Sequence, residues 1–196
     1  MAEAADRSRS GGLRAVLLGA PGSGKGTQAE FLAASLGVPA ISTGAMLRDA
    51  VAHGSALGSK VEGIMACGGL VDDALMAEVV RERLGRPDAA GGFLLDGYPR
   101  TTGQAAMLDS ILAEREEQLD AVLLLEVPEA VLVERAVARK RADDGEEVVR
   151  ERLRVYREKT EPLVEHYRAA GLLHTVSGQG SVDEVYQRVQ QAVRQA

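Results

Sequence analysis

Five short apolar runs recur along the chain, and each is closed by glycine, aspartate, serine or proline before a segment of helical period begins. The first, Ala15 to Leu18, stops at Gly19. The second, Val38 to Ile41, ends in Ser42-Thr43-Gly44. The third, Phe93 to Leu95, stops at Asp96-Gly97. The fourth, Ala121 to Val127, is almost continuously apolar, as a central strand covered on both faces must be. The fifth runs from Leu172 to Val176. Between them the pattern predicts helices over residues 28–36, 45–52, 60–67, 103–117 and 128–138, the last with Pro128 in its first turn. Another runs to Leu84 from an N-cap at Asp72 or Asp73. A long helical stretch covers 146–170, with Pro162 splitting or kinking it. The last helix starts at the capping box Ser181-Val182-Asp183-Glu184 and reaches about Arg194. Strands alternating with helices mean a parallel sheet covered on both faces, an α/β fold.

Ligands of open parallel sheets bind at the carboxyl ends of the strands. Residues 19–27, 42–44 and 96–100 all lie at such ends and are expected to share one cleft. Two inserts interrupt the regular alternation: the helical pair between the second and third strands, and the charged turn from Arg139 to Gly145. Met1 to Gly12 is polar and rich in small residues, and is expected to be a loose tail ahead of a single domain.

The stretch Gly19-Ala20-Pro21-Gly22-Ser23-Gly24-Lys25-Gly26-Thr27 joins the first strand to the first helix. It matches the phosphate-binding pattern G-x-x-x-x-G-K. Its glycines let backbone N–H groups close around an anion, the helix adds its positive end, and Lys25 adds a full charge. Gly26 stands where a simple P-loop has Ser or Thr; the hydroxyl comes one place later, at Thr27.

Composition narrows the chemistry. A net charge of −6 over 196 residues argues against a nucleic-acid binder. Cys67 is the only cysteine, so a disulfide framework and a cysteine zinc site are both excluded and a cytoplasmic setting fits. No apolar run approaches the roughly 20 residues of a membrane helix, and the first is too short for a signal peptide.

Asp96 ends an apolar strand downstream of the loop. It is expected to orient Mg²⁺ through water, because that ion keeps much of its hydration shell; a turn-capping role beside Gly97 is the alternative. Arg48, Arg100, Arg135, Arg139, Arg141 and Arg152 fall at strand ends, in the charged turn or on its flanking helices. Guanidinium groups so placed suit the equatorial charge of phosphoryl transfer. Arg81, Arg83, Arg115, Arg188 and Arg194 read as solvated surface. His53, His166 and His174 lack metal-ligand spacing and read as surface or packing residues, and Cys67 as a helix-end packing residue. With neither a nucleophile nor a dedicated base in view, positioning and electrostatics must carry the chemistry.

Taken together, the chain resembles the adenylate kinase family of nucleoside monophosphate kinases from about Leu13 to Arg194. The motifs that carry the resemblance are Gly-Ala-Pro-Gly-Ser-Gly-Lys-Gly-Thr-Gln, Ile-Ser-Thr-Gly, Gly-Leu-Val, Phe-Leu-Leu-Asp-Gly-Tyr-Pro-Arg, Arg-Ala-Asp-Asp and Gly-Ser-Val-Asp-Glu-Val. In that family Lys-Gly-Thr is the normal ending of the loop. The resemblance implies a P-loop NTPase fold: a five-stranded parallel sheet with helices on both faces, a helical NMP-binding insert over 42–71 and a short lid over 134–144. It implies an ATP site of Gly22, Ser23, Gly24, Lys25, Gly26 and Thr27, with Arg135, Arg139 and the backbone near Gly180. It implies an AMP site of Thr43, Arg48, Gly69, Leu70, Val71, Gly97, Tyr98, Pro99, Arg100 and Gln104, with Arg141 and Arg152 reaching the transferring phosphoryl. Mg²⁺ accompanies ATP, zinc is not expected, and a cytoplasmic monomer is the family pattern. One departure is Ala45, where the family usually has Asp or Glu after Ser-Thr-Gly.

The implied reaction is Mg·ATP + AMP ⇌ 2 ADP. A UMP/CMP kinase on the same fold is the nearest alternative, and Thr43 and Gln104 decide against it, since their counterparts face adenine in adenylate kinases. A non-catalytic nucleotide-binding module would be expected to lack Lys25, Asp96 or the arginines near the charged turn. A GTPase switch needs Asn-Lys-x-Asp, and the chain contains no asparagine.

Overall fold

The computed structural model describes residues 12–139 and 145–196. Among them, five strands and nine α-helices alternate: β1 (Arg14–Leu18), α1 (Lys25–Leu36), β2 (Ala40–Ser42), α2 (Thr43–Ala52), α3 (Ala56–Ala66), α4 (Asp73–Leu84), β3 (Phe93–Asp96), α5 (Thr102–Ala113), β4 (Ala121–Glu126), α6 (Glu129–Ala138), α7 (Glu146–Val155), α8 (Pro162–Ala169), β5 (Leu173–Ser177) and α9 (Val182–Arg194). The sheet is parallel throughout, in the order β2-β3-β1-β4-β5.

Successive strand side chains go to opposite faces. Val16, Leu18, Leu95, Val122 and Leu124 therefore pack on one side with Leu47, Val61, Val80, Leu108 and Tyr167 of the helices. Ala15, Leu17, Leu94, Leu123 and Leu125 pack on the other with α1 and α9, through Leu32, Val185 and Val189. A third, smaller core joins α6 to α7 through Leu132, Ala136, Val149 and Leu153. The central strands β1, β3 and β4 are buried on both faces, which is why β4 reads as one apolar run.

The elements match the expected pattern with shifted boundaries. Helix α1 starts at Lys25 rather than Gln28, because Gly24 adopts the left-handed conformation and caps it. Helix α3 starts at Ala56 rather than Lys60. Gly58, which a start at Lys60 leaves in the connection, lies inside the helix, where a Cβ would overlap the Ala50 carbonyl; it lets α2 and α3 approach. Helix α5 ends at Ala113 rather than Glu117, with Glu116 in left-handed backbone. The stretch 146–170 is three pieces: α7, a π-helical turn over Tyr156–Thr160, and α8 with Pro162 in its first turn. Proline cannot donate to the preceding turn, and the bulge absorbs the mismatch through Glu161 N–H bonding the Tyr156 carbonyl at 2.9 Å. The capping box of α9 forms in full. Most of the charged turn, residues 140–144, and the tail over 1–11 lie outside the described residues.

Candidate active site

One side of the site, the donor side in that the family resemblance puts ATP there, is built almost entirely from one contiguous loop. Between β1 and α1 the chain turns so that the amides of Gly24 to Thr27 sit at the start of α1, where no earlier turn can accept them. No acidic residue occupies that first turn, so the positive end of the helix is left for an anion. Lys25 folds back over the loop, its Nζ donating to the carbonyls of Gly19 at 2.6 Å and Ala20 at 3.0 Å. Burial lowers its pKa from 10.5 to about 8; the charge of Asp96 opposes that fall, while Arg100, Arg152 and Arg139 add to it. Four groups far apart in sequence thus act on one ammonium.

Asp96 ends β3 facing the loop. A Cβ on Gly26 would sit 3.7 Å from its Oδ2, and Ser42 Oγ donates to that same oxygen at 3.1 Å. No cluster of three His, Cys, Asp or Glu suited to a metal occurs among the described residues. A lone carboxylate beside a phosphate loop fits Mg²⁺, which completes its octahedron with water and phosphate oxygens.

The loop after β5 closes the far end of the donor side. Arg135 Nη1 donates to the Gly178 carbonyl at 2.9 Å, and Arg188 Nη1 donates to the carbonyls of Ser177 at 2.9 Å and Gln179 at 2.6 Å. Gln28 Nε2 donates to the Val182 carbonyl at 3.1 Å and ties α1 to the start of α9.

The opposite side, the acceptor side in that the family resemblance puts AMP there, is assembled from four separate segments. Thr43, Gly44 and Arg48 come from the start of α2, Gly68 to Val71 from the loop before α4, Gly97 to Gln104 from the β3–α5 connection, and Arg152 from α7. Two guanidinium groups converge at the start of α2: a Cβ on Gly44 would lie 3.3 Å from Arg48 Nη1 and 3.8 Å from Arg100 Nη2. Two guanidinium groups over a helix N-terminus are an arrangement suited to an anion. Gly97, at φ 85°, leaves room for it, since a Cβ there would come within 2.9 Å of Thr43 Oγ1 and 3.1 Å of Arg100 Nη2. Arg100 is held at three points. Its Nε donates to the Gly97 carbonyl at 2.8 Å, its backbone N–H to Gln104 Oε1 at 2.7 Å, and its carbonyl accepts from Thr160 Oγ1 at 2.8 Å.

Donor and acceptor sides open into one cleft of about 840 Å³, lined by the loop, Asp96, Arg48, Arg100, Arg135, Arg139 and Arg152. Two anion sites facing each other across one carboxylate suit the transfer of a phosphoryl group between two phosphorylated molecules. Residues 17–172 match the adenylate kinase family. Adenylate kinase of Nocardia farcinica is 51% identical over 181 residues, 92% of this chain and 99% of that one. Adenylate kinase of Parasynechococcus marenigrum is 50% identical over 176 residues, 90% and 96% respectively. That of Mycolicibacterium smegmatis is 49% identical over 183 residues, 93% and 100%.

The chain belongs to the adenylate kinase family. It is accordingly a phosphotransferase of the nucleoside monophosphate kinase type.

Of the residues picked out in the sequence, Gly22 to Thr27, Arg48, Leu70, Asp96, Gly97, Pro99, Arg100, Arg135, Arg139, Arg152 and Gly180 line the shared cleft. Thr43, Gly69, Val71 and Gln104 line its acceptor end. Tyr98 does not line it: the ring is buried, burial pushes its hydroxyl up to about 12, and it donates to the Gln104 carbonyl at 3.1 Å. Arg141 lies outside the described residues. Three arginines read as solvated surface are partly buried instead. Arg188 braces the Ser177–Gln179 loop, Arg83 pairs with Asp88 at 2.7 Å, and Arg115 with Glu117 at 2.9 Å. Cys67 does end α3 but is exposed rather than packed. Thr160 and the amide of Gln28 escaped the sequence reading, and Asp73 entered it only as an alternative to Asp72 for the α4 cap, because each acts through a partner more than 25 residues away.

Proposed function

We propose that the protein catalyses reversible transfer of the γ-phosphoryl group of Mg·ATP to AMP, giving two ADP. The observation that carries this reading is the pair of anion sites, the β1–α1 loop on one side and Arg48 with Arg100 on the other, opening toward each other beside Lys25 and Asp96. The loop amides and Lys25 hold the donor phosphates. Arg48 and Arg100 hold the acceptor phosphate so that one of its oxygens attacks the γ-phosphorus in line. Charge developing on the equatorial oxygens is met by Lys25, Arg139, Arg141 and Arg152. Asp96 would hold Mg²⁺ through water, and that ion would neutralise and orient the donor's phosphate oxygens.

Thr43, Gln104 and the backbone of Gly69 to Val71 receive the acceptor base, and Arg135 with the Gly178–Gly180 loop receives the donor adenine. Residues 42–71 and 134–144 act as two covers whose closure expels water and suppresses hydrolysis. No helix among the described residues is long and apolar enough to cross a membrane. The net charge of −6 and the family pattern support a cytoplasmic monomer that engages neither nucleic acid nor membrane. The test is a coupled assay of ADP formation with AMP, UMP, CMP and GMP as acceptors. AMP is expected to be preferred strongly; UMP or CMP matching it would overturn the assignment.

A further inference from the structure

An amide reads a base only if its two ends are held apart in role. The carbonyl end accepts, the NH₂ end donates, and a half-turn exchanges them with almost no change of shape. Adenine offers a 6-amino donor beside the N1 acceptor; a 6-oxo purine offers an acceptor beside an N1–H donor. The orientation of Gln104 therefore decides which purine is complementary.

Both ends of Gln104 are tied to groups that can play only one part. Oε1 accepts the Arg100 backbone N–H at 2.7 Å, and Nε2 donates to Asp73 Oδ1 at 2.9 Å. A backbone N–H can only donate and an ionised carboxylate can only accept. A flipped amide would place donor against donor and oxygen against oxygen, inside a side chain only 1% exposed. Asp73 is itself anchored. Its Oδ2 accepts from Thr101 Oγ1 at 2.8 Å, and that hydroxyl caps α5 by accepting the Gln104 N–H at 3.0 Å. After these bonds Gln104 keeps one N–H and one lone pair, the complement of N1 and the 6-amino group.

We propose that Asp73, the first residue of α4, is a positioning residue for acceptor specificity. By locking the Gln104 amide it sets the pocket for 6-amino over 6-oxo purine monophosphates. This rests on the reading that Gln104 faces the acceptor base.

The test compares kcat/KM for AMP and for IMP, which differ at the 6-position and N1 alone. The enzymes are the natural one, Asp73→Ala, Asp73→Asn, Gln104→Ala and the Asp73→Ala/Gln104→Ala double variant, with KM for ATP as control. Asp73→Ala is expected to shrink the AMP-over-IMP ratio about tenfold. Asp73→Asn should shrink it less, since its own amide can still present an oxygen, and it carries the test if the alanine variant fails to fold. In the Gln104→Ala background the Asp73 change should leave the ratio where it is. If Gln104→Ala collapses the ratio while neither Asp73 variant moves it beyond about twofold, Asp73 is merely structural and the proposal fails alone. If Gln104→Ala leaves the ratio intact, the reading of the base pocket fails and the proposal with it.

Discussion

The two anion sites of this protein differ in how the chain builds them. The donor site is nine consecutive residues running from the end of one strand into the first turn of one helix, and its geometry follows from local backbone rules. The acceptor site draws on α2, the loop before α4, the β3–α5 connection and α7, and its key cation, Arg100, is held by the Gly97 carbonyl, by the Gln104 side chain and by the Thr160 hydroxyl of the π-helical turn. A local site tolerates change elsewhere in the fold. A composite site inherits every weakness of the elements that supply it.

The sharpest contrast comes from removing one cation on each side. Lys25→Ala and Arg100→Ala should each lower kcat by roughly 10²–10³, the range for losing a preorganised charge donor. The KM for ATP should rise mainly in the first and that for AMP mainly in the second, with unchanged circular dichroism. Near-normal turnover in both would break the functional assignment.

Protonation tests the donor side alone. Ligand-free, Lys25 gives up its proton near pH 8, below the 10.5 of an exposed lysine. Between those values the unfolded chain binds more protons than the folded one, so this group's contribution to stability rises with pH across that window. Below it, burying the charged ammonium costs stability. Nucleotide phosphates favour the charged form, so ATP binding takes up a proton above pH 8. The expected outcome is a kcat/KM for ATP that declines as pH rises past about 8. In Lys25→Arg, whose charge does not titrate, that inflection should disappear even if activity is low.

Thr160→Val tests the composite side. It deletes the hydroxyl that the π-helical turn lends to the Arg100 carbonyl at 2.8 Å. A lost partly buried hydrogen bond costs about 1 kcal/mol, visible in thermal unfolding. The KM for AMP is expected to rise severalfold while that for ATP stays put. Equal changes in both would mean that the tie serves the fold and not the acceptor site.

The smallest effect concerns two helix starts. On the donor side Ser181 N–H bonds Glu184 at 2.7 Å and Glu184 N–H bonds Ser181 Oγ at 3.3 Å, a reciprocal box. On the acceptor side Ser42 Oγ accepts the Ala45 N–H at 3.4 Å, and alanine returns nothing. Ala45→Glu should complete that box and add about 0.5 kcal/mol of stability, read as a modest rise in thermal midpoint. No rise would show that the Ser42 backbone N–H, at the end of β2 and paired alongside Asp96, does not admit the second arm.

Much of this is legible in the amino-acid sequence alone. The period-two and period-3.6 patterns name the five strands and their helices, because apolar faces must be buried whatever the details. The loop reads directly, since its function lies in consecutive backbone amides. Misreadings cluster where a residue's meaning is tertiary. Gly58 falls outside the helix expected over 60–67, and only the Ala50 carbonyl against it explains its place inside α3. Arg188 looked like surface, although its partners at Ser177 and Gln179 lie a turn and a loop away. Tyr98 sat within a binding motif, yet its ring faces the core.

The amino-acid sequence by itself determined the class of fold, the donor loop and the identity of most cations in the cleft, because those depend on local spacing and composition. Only the tertiary structure decided how Arg100 is held, which way the Gln104 amide is fastened, and that Asp73 and Thr160 do the fastening. Hydrogen bonds between residues 28 to 60 positions apart leave no periodic trace in sequence. They exist only once the sheet has brought its strand ends together.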